Sequence, residues 1–191
     1  MLCPAPWIGM QLAPEGASPC CVYKKSSLVP TEKIYSFDDV LYSKEFEQLR
    51  YNMENDIVDP NCEQCYNEEK NGQLSRRQYL LDNYNTDTIA IQDLEVIFDN
   101  VCNLKCRGCN SGGSHLWVKD ELDIYGKLIH EKKLHDLKFD NYDLSKINNL
   151  SISGGEPLLS KSAENFISHL EIQNVELSLV TNATVTPSDI F

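Results

Sequence analysis

The chain lacks the marks of several large classes of protein. No run of residues comes near the roughly eighteen apolar residues that a membrane span needs, so no spanning segment is expected. Residues 1–11 carry no basic group ahead of an apolar stretch, so this segment does not read as a secretory signal, and a cytoplasmic location is expected. Basic residues are few, 17 against 29 acidic, and the net charge of −12 is spread over both halves. Neither half offers a phosphate-binding surface, which argues against bulk electrostatic binding of nucleic acid. One RNA or DNA substrate held by local contacts stays open. Charge of this kind serves first to keep a chain soluble. There is no internal repeat and no low-complexity tract. Hydrophobic residues at 41% and charged residues at 24% are an ordinary globular mix, and 191 residues make one large domain or two small ones.

What the chain does have is cysteine. Its eight cysteines fall in two sets: Cys3, Cys20, Cys21, Cys62 and Cys65, then Cys102, Cys106 and Cys109. In a reducing compartment, clustered thiols read as metal or cluster ligands before they read as a disulfide framework.

The pattern of the first half predicts short strands at Trp7–Leu12 and Cys20–Tyr23 joined by a turn at Pro14-Glu15-Gly16. A helix is expected from Ser36-Phe37-Asp38-Asp39, with Tyr42, Phe46, Leu49 and Met53 as one apolar stripe. Pro60 opens the next helix and Gly72 closes it, so Cys62 and Cys65 share one face of its first turn. From Leu94 the pattern changes. Strands are expected at Leu94–Phe98, Leu150–Ser153 and Val175–Thr181, with helical stretches at Leu116–Leu134 and Ser160–Leu170. Strand–loop–helix repeated in this way predicts parallel strands with crossover helices. Functional loops in such folds lie at the C-terminal ends of the strands.

Three motifs fall at those ends. Asp99–Gly113 is a loop containing Cys102-x-x-x-Cys106-x-x-Cys109. Three thiolates within eight residues can reach three corners of a compact iron–sulfur cluster. A cubane has a fourth iron, which is left open for another ligand. The same spacing also serves a zinc site, a disulfide staple or buried spare thiols. Gly154-Gly155-Glu156-Pro157 directly follows the second strand. Two glycines let the backbone approach a ligand closely, and the carboxylate of Glu156 suits an ammonium group. Thr181-Asn182 ends the third strand. The four histidines, His115, His130, His135 and His169, read as surface or satisfied core residues, and Trp7 and Trp117 as core or cleft wall.

The three-cysteine loop after one strand, with Gly-Gly-Glu-Pro after the next, resembles the radical S-adenosylmethionine (radical SAM) enzymes. The resemblance implies a 4Fe–4S cluster on Cys102, Cys106 and Cys109, with S-adenosyl-L-methionine on the open iron. Gly154, Gly155 and Glu156 would contact the methionine amino group, and Thr181 and Asn182 would line the cofactor pocket. It also implies one-electron cleavage of the cofactor to a 5′-deoxyadenosyl radical that abstracts hydrogen from a substrate, with an electron donor such as flavodoxin or ferredoxin. One departure stands out: the family's bulky apolar residue before the last cysteine, which packs near the adenine, is Gly108 here.

The N-terminal set resembles a twitch domain, a small auxiliary-cluster module: a Cys, a hairpin with Gly at its turn, another Cys, then Cys-x-x-Cys. Its position ahead of the core, with Cys3-Pro4-Ala5-Pro6-Trp7 at the start, is similar to the twitch-domain radical proteins of tailed bacteriophages. If phage-encoded, the chain would act in the host cytosol. The resemblance implies an auxiliary 4Fe–4S cluster on Cys3, Cys62, Cys65 and one of Cys20 or Cys21. Cys20, next to Pro19, is favoured, although counting from Gly16 by the family's spacing selects Cys21. A four-thiolate zinc site is the alternative. Twitch-type relatives imply a peptide, a protein or another sizeable molecule as substrate.

The expected fold class is therefore α/β. Residues 94–191 would form an incomplete radical SAM (β/α) partial barrel of about three of six units. Residues 1–93 would form a small α+β, twitch-like, cysteine-rich domain. Three units would bind the cluster without closing a cavity, so cluster binding with weak or undetectable cofactor cleavage is expected of this polypeptide unless a second chain completes the fold. The competing readings are a non-catalytic zinc or iron–sulfur module and an inactive truncated product.

Overall fold

A computed structural model describes residues 2–25, 27–129, 141–168, 170 and 175–189. The strands are β1 Gly9–Ala13, β2 Gly16–Ser18, β3 Val29–Pro30, β4 Asp93–Ile97, β5 Asn149–Ser153 and β6 Glu176–Leu179. They form one sheet in the order β3-β2-β1-β4-β5-β6. β1–β2 and β2–β3 are antiparallel, whereas β1–β4, β4–β5 and β5–β6 are parallel. The α-helices among the described residues are α1 Ala5–Ile8, α2 Phe37–Leu41, α3 Lys44–Glu54, α4 Glu63–Lys70, α5 Arg76–Asn83, α6 Val118–Tyr125 and α7 Lys161–Ser168. The fold is mixed α/β, with strand–loop–helix units running through its second half.

Side chains alternate across a strand, so the register decides what each face carries. Met10, Leu94, Leu150 and Leu177 stand in one row across the sheet, and Leu12, Val96, Ile152 and Leu179 in another. These rows pack against Phe37, Val40, Leu41 and Phe46 from α2 and α3, and against Phe166 and Ile167 from α7. Each fully buried Leu, Ile or Val there contributes about 1.5–3 kcal/mol. The opposite face is polar, carrying Gln11, Asp93, Glu95, Asn149, Ser151, Ser153 and Ser178. A smaller apolar cluster of Cys3, Ala5, Trp7, Ile8, Met53 and Leu80 lies beside the sheet.

Several local expectations change. Trp7 and Ile8 end α1 rather than start a strand, because Pro4 heads a short helical turn in which Trp7 N–H and Ile8 N–H both donate to Pro4 C=O. The hairpin is present, but its second strand is Gly16–Ser18, and residues 19–22 bend and turn away. The expected single helix after Ser36 is two. Ser36 caps α2 with a capping box, and Ser43 caps α3 by accepting from Phe46 N–H at 3.2 Å. Tyr42 falls in the break and is exposed, while Phe46, Leu49 and Met53 are buried. Pro60 begins a 3-10 turn, Pro60–Cys62, that leads into α4. The expected helix 116–134 ends at Tyr125, where Gly126 takes a left-handed conformation. The remainder of that stretch from residue 130, together with His130, His135 and His169, lies outside the described residues. Hydrogen bonding of β1 to β4 carries the sheet across residues 93 and 94, joining the N-terminal hairpin to the later strands.

Candidate metal centre

The loop after β4 is held by its own polar side chains. Asp99 accepts from Val101 N–H through one carboxylate oxygen at 3.0 Å and from Ser160 Oγ through the other at 2.6 Å. Asn100 donates to Ser111 C=O at 2.8 Å, closing the loop on itself. Buried Glu121 on α6 accepts from Ser111 N–H and Ser111 Oγ. Ser114 Oγ donates to Leu104 C=O, and Trp117 Nε1 donates to Cys106 C=O at 3.1 Å. Lys105 pairs with Asp120 and lies over the Trp117 ring. Cys109 N–H donates to Cys106 C=O at 3.0 Å, closing a tight turn between the two cysteines.

Cys102 is buried, Cys109 half-buried and Cys106 exposed, so the set is open on one side. Two N–H donors approach the Cys102 sulfur: the backbone of Leu104 at 3.4 Å and the Asn182 amide at 3.9 Å. Donors of this kind stabilise a thiolate and tune a cluster that it ligates. The sulfur of Cys109 sits against Gly113, where a Cβ would come within 2.9 Å of it. His115 Nδ1 accepts Cys102 N–H at 3.2 Å, which ties the start of the loop to the segment before α6.

Gly154-Gly155-Glu156-Pro157 packs directly on this loop. Gly154 has φ +137°, and a Cβ on Gly155 would lie 2.2 Å from Val101 C=O. Gly155 N–H donates to Asp99 C=O at 3.3 Å and Glu156 N–H to Val101 C=O at 2.7 Å. Glu156 has no exposed surface. Its carboxylate accepts from Thr181 Oγ1 at 2.7 Å, Asn182 N–H at 2.7 Å and Leu158 N–H at 3.2 Å. It therefore ties the end of β5 to the end of β6. Asn182 in turn donates to Asn103 Oδ1 at 3.0 Å and accepts from Thr184. Three segments separated by dozens of residues thus meet at one edge of the sheet.

The N-terminal thiols gather elsewhere. Cys3, Cys20, Cys62 and Cys65 line one pocket, together with Tyr23, Tyr66, Arg76 and Arg77 among others. Asp59 caps the turn that presents Cys62, accepting from Asn61 N–H at 2.8 Å and from Tyr23 Oη at 3.2 Å. Arg77 pairs with Glu69 and donates to Leu2 C=O at 3.0 Å, which fixes the chain beside Cys3. Burial pushes the Cys3 thiol up to about 11 and the Cys62 thiol up to about 12, and holds Cys20 well above its ordinary value. Mutual repulsion adds to this, since Cys3 acts on both Cys20 and Cys62. Cys21 does not line the pocket. It is an exposed residue whose thiol lies against the Glu95 carboxylate, and desolvation there, followed by that negative charge, pushes it up to about 11.

The donor sets fit iron–sulfur chemistry: three thiols open on one side in the loop, four around one pocket at the other site. Among the described residues, no three His, Cys, Asp or Glu side chains stand close enough together to hold a single metal ion. Thiolates on separate irons of a cubane stand further apart than the ligands of one ion. Sequence reasoning passed over Asp99, Asn100, Arg76 and Arg77. The Asp-Asn pair directly after β4 was a usable signal, whereas nothing local marked the two arginines.

Residues 94–185 match a family model described as a 4Fe-4S single cluster domain. The match spans the three-cysteine loop, Gly154-Gly155-Glu156-Pro157 and Thr181-Asn182, and it indicates an iron–sulfur cluster domain in this part of the chain. No curated protein and no solved structure matches the chain. No helix among the described residues is long and apolar enough to cross a membrane.

Proposed function

We propose that this chain is a radical SAM protein, with residues 94–191 forming (β/α) units of a partial barrel and residues 1–93 a twitch-like auxiliary domain. The observation that carries the reading is the meeting of the three-cysteine loop, Gly154-Gly155-Glu156-Pro157 and Thr181-Asn182 at one sheet edge, tied by the buried Glu156 carboxylate. Cys102, Cys106 and Cys109 would hold a 4Fe–4S cluster, leaving one iron for S-adenosylmethionine. When bound, the pair would supply a one-electron cleavage that yields a 5′-deoxyadenosyl radical for hydrogen abstraction.

The chain's own residues do the positioning. Leu104 N–H and Asn182 Nδ2 hold the Cys102 sulfur from two sides. Glu156 fixes where Thr181 and Asn182 stand, and its oxygens are already engaged by three protein donors. Contact with the cofactor's amino group is therefore assigned to the backbone of Gly154–Glu156 rather than to the Glu156 side chain. Gly108 has open space around it, so adenine must be held by other residues.

The four-thiol pocket would hold a second, auxiliary cluster on Cys3, Cys20, Cys62 and Cys65, with Cys21 spare. The substrate is proposed to be a peptide or protein, with a small redox protein as electron donor. Anaerobic reconstitution with iron and sulfide analysis tests the reading. About eight irons per chain are expected, falling to about four in Cys106→Ala with the N-terminal signal intact. Stoichiometric zinc without acid-labile sulfide would replace this reading with a zinc module.

A further inference from the structure

Arg76, on α5, reaches the first residue of β4. One guanidinium nitrogen pairs with Asp93 on β4, and the group lies 5.0 Å from the centroid of the Tyr79 ring. Asp93 is held in place by Asn149 Nδ2 at 3.1 Å. Arg76 also lines the four-thiol pocket. Its Nε–H is buried and donates to no group among the described residues. A buried donor left without an acceptor is destabilising. It is tolerated where something accepts the hydrogen bond when the site is filled. The neighbouring Arg77 differs: its Nε donates to Glu69 Oε1 at 2.9 Å and its charge is matched by that carboxylate.

We infer that Arg76 is the positioning residue of the N-terminal cluster: its Nε–H donates to a sulfur of the bound group, and its charge sets that group's reduction potential. The inference rests on the proposed auxiliary cluster. A 4Fe–4S centre with four thiolates is anionic and gains negative charge on reduction. A cation and an N–H donor beside it favour the reduced state and raise its potential. The Asp93 partnership sets how much of the Arg76 charge the cluster feels. Because Asp93 begins the strand that leads to Cys102, the same ion pair links the pocket to the cluster loop. From Asp93 to Ile97 the strand spans on the order of 13 Å.

The consequence is a pair of opposite shifts. The full chain carrying Cys102→Ala, Cys106→Ala and Cys109→Ala isolates the N-terminal cluster. In that background, Arg76→Gln should make the midpoint more negative, and Asp93→Asn should make it more positive. At a fixed solution potential, the oxidised-to-reduced ratio should rise about tenfold or more in the first variant, tenfold being near the water-screened limit for one charge removed a few ångströms away. The measurement is a dithionite titration followed by electron paramagnetic resonance, with iron and sulfide counted for each variant. A purely structural role would lower cluster content in both variants without shifting the two midpoints in opposite directions. Equal midpoints, or shifts of the same sign, in variants that keep their iron would overturn the inference and leave the auxiliary cluster standing. Absence of iron and sulfide in the three-alanine background would overturn the auxiliary cluster itself, and the role of Arg76 with it.

Discussion

Replacing Gly155 by alanine is a sharp test of how the cluster loop is seated. The added Cβ would lie 2.2 Å from Val101 C=O and 2.7 Å from the carbonyl carbons of Asn100 and Val101. All three are backbone atoms, so no side chain can rotate aside. Forcing a methyl group into such a contact costs about 1–3 kcal/mol. The displaced segment also loses or weakens the bond from Glu156 N–H to Val101 C=O, a further ~0.5–1.5 kcal/mol. The combined loss of about 2–4 kcal/mol should lower the urea midpoint by roughly 1–2 M. Because residues 99–101 lead directly into Cys102, the loop cluster should also load incompletely. Gly108→Ala is the internal control: no atom lies within 4 Å of its added Cβ, so stability should stay within about 0.5 kcal/mol and iron content should not change. Equilibrium unfolding and iron analysis of the two variants, side by side with the parent, give the answer. If Gly155→Ala matches Gly108→Ala in both, the packing of this segment on the loop is not what seats the cluster.

Three further outcomes are expected. Glu156→Gln keeps size but turns one acceptor oxygen into a donor facing Thr181 Oγ1, Asn182 N–H or Leu158 N–H, so it should lose about 1–3 kcal/mol in denaturant unfolding. Cys20→Ser should remove the N-terminal cluster and Cys21→Ser should not, as read by iron content and spectra in the background lacking the loop cysteines. Without iron, the folded protein holds Cys3 and Cys62 as neutral thiols. Their values of about 11 and about 12 lie above the ordinary value of 9.0, so the unfolded chain ionises first. Stability should be insensitive to these groups below pH 9 and fall as pH rises towards 11–12, and the fall should shrink in Cys3→Ser/Cys62→Ser.

The parts of the site that were legible in the sequence are those written in fixed spacing. Cys102-x-x-x-Cys106-x-x-Cys109 and Gly154-Gly155-Glu156-Pro157 need particular residue types at particular separations, and each follows a strand, where loops meet at one sheet edge. Thr181-Asn182 was legible as the end of a strand and, by resemblance alone, as pocket lining. Its connection to Glu156 crosses 25 residues and depends on the β5–β6 register. Helix breaks were hidden for a different reason. Tyr42 stays in phase with Phe46, Leu49 and Met53, so periodicity alone cannot see the interruption, and the Ser43 cap was the signal. Pairing of β1 with β4 and of Arg76 with Asp93 joins segments far apart in the chain, and no local pattern encodes either contact. The role expected of the Glu156 carboxylate is the instructive case. The motif located the residue, but the three donors its carboxylate accepts from, Leu158 N–H, Thr181 Oγ1 and Asn182 N–H, come together only in the fold.

On the proposed reading, the three-cysteine loop carries a cluster with an open iron that S-adenosylmethionine occupies. The direct measurement is the electron paramagnetic resonance spectrum of the anaerobically reduced, reconstituted full chain, recorded with and without S-adenosylmethionine, for the parent and for Cys106→Ala. The expected result is a change in the parent's cluster signal that saturates near one cofactor per chain, and no response in Cys106→Ala, whose remaining signal comes from the N-terminal cluster. An unchanged parent spectrum, with iron and sulfide analysis showing the loop cluster fully loaded, would contradict the claim.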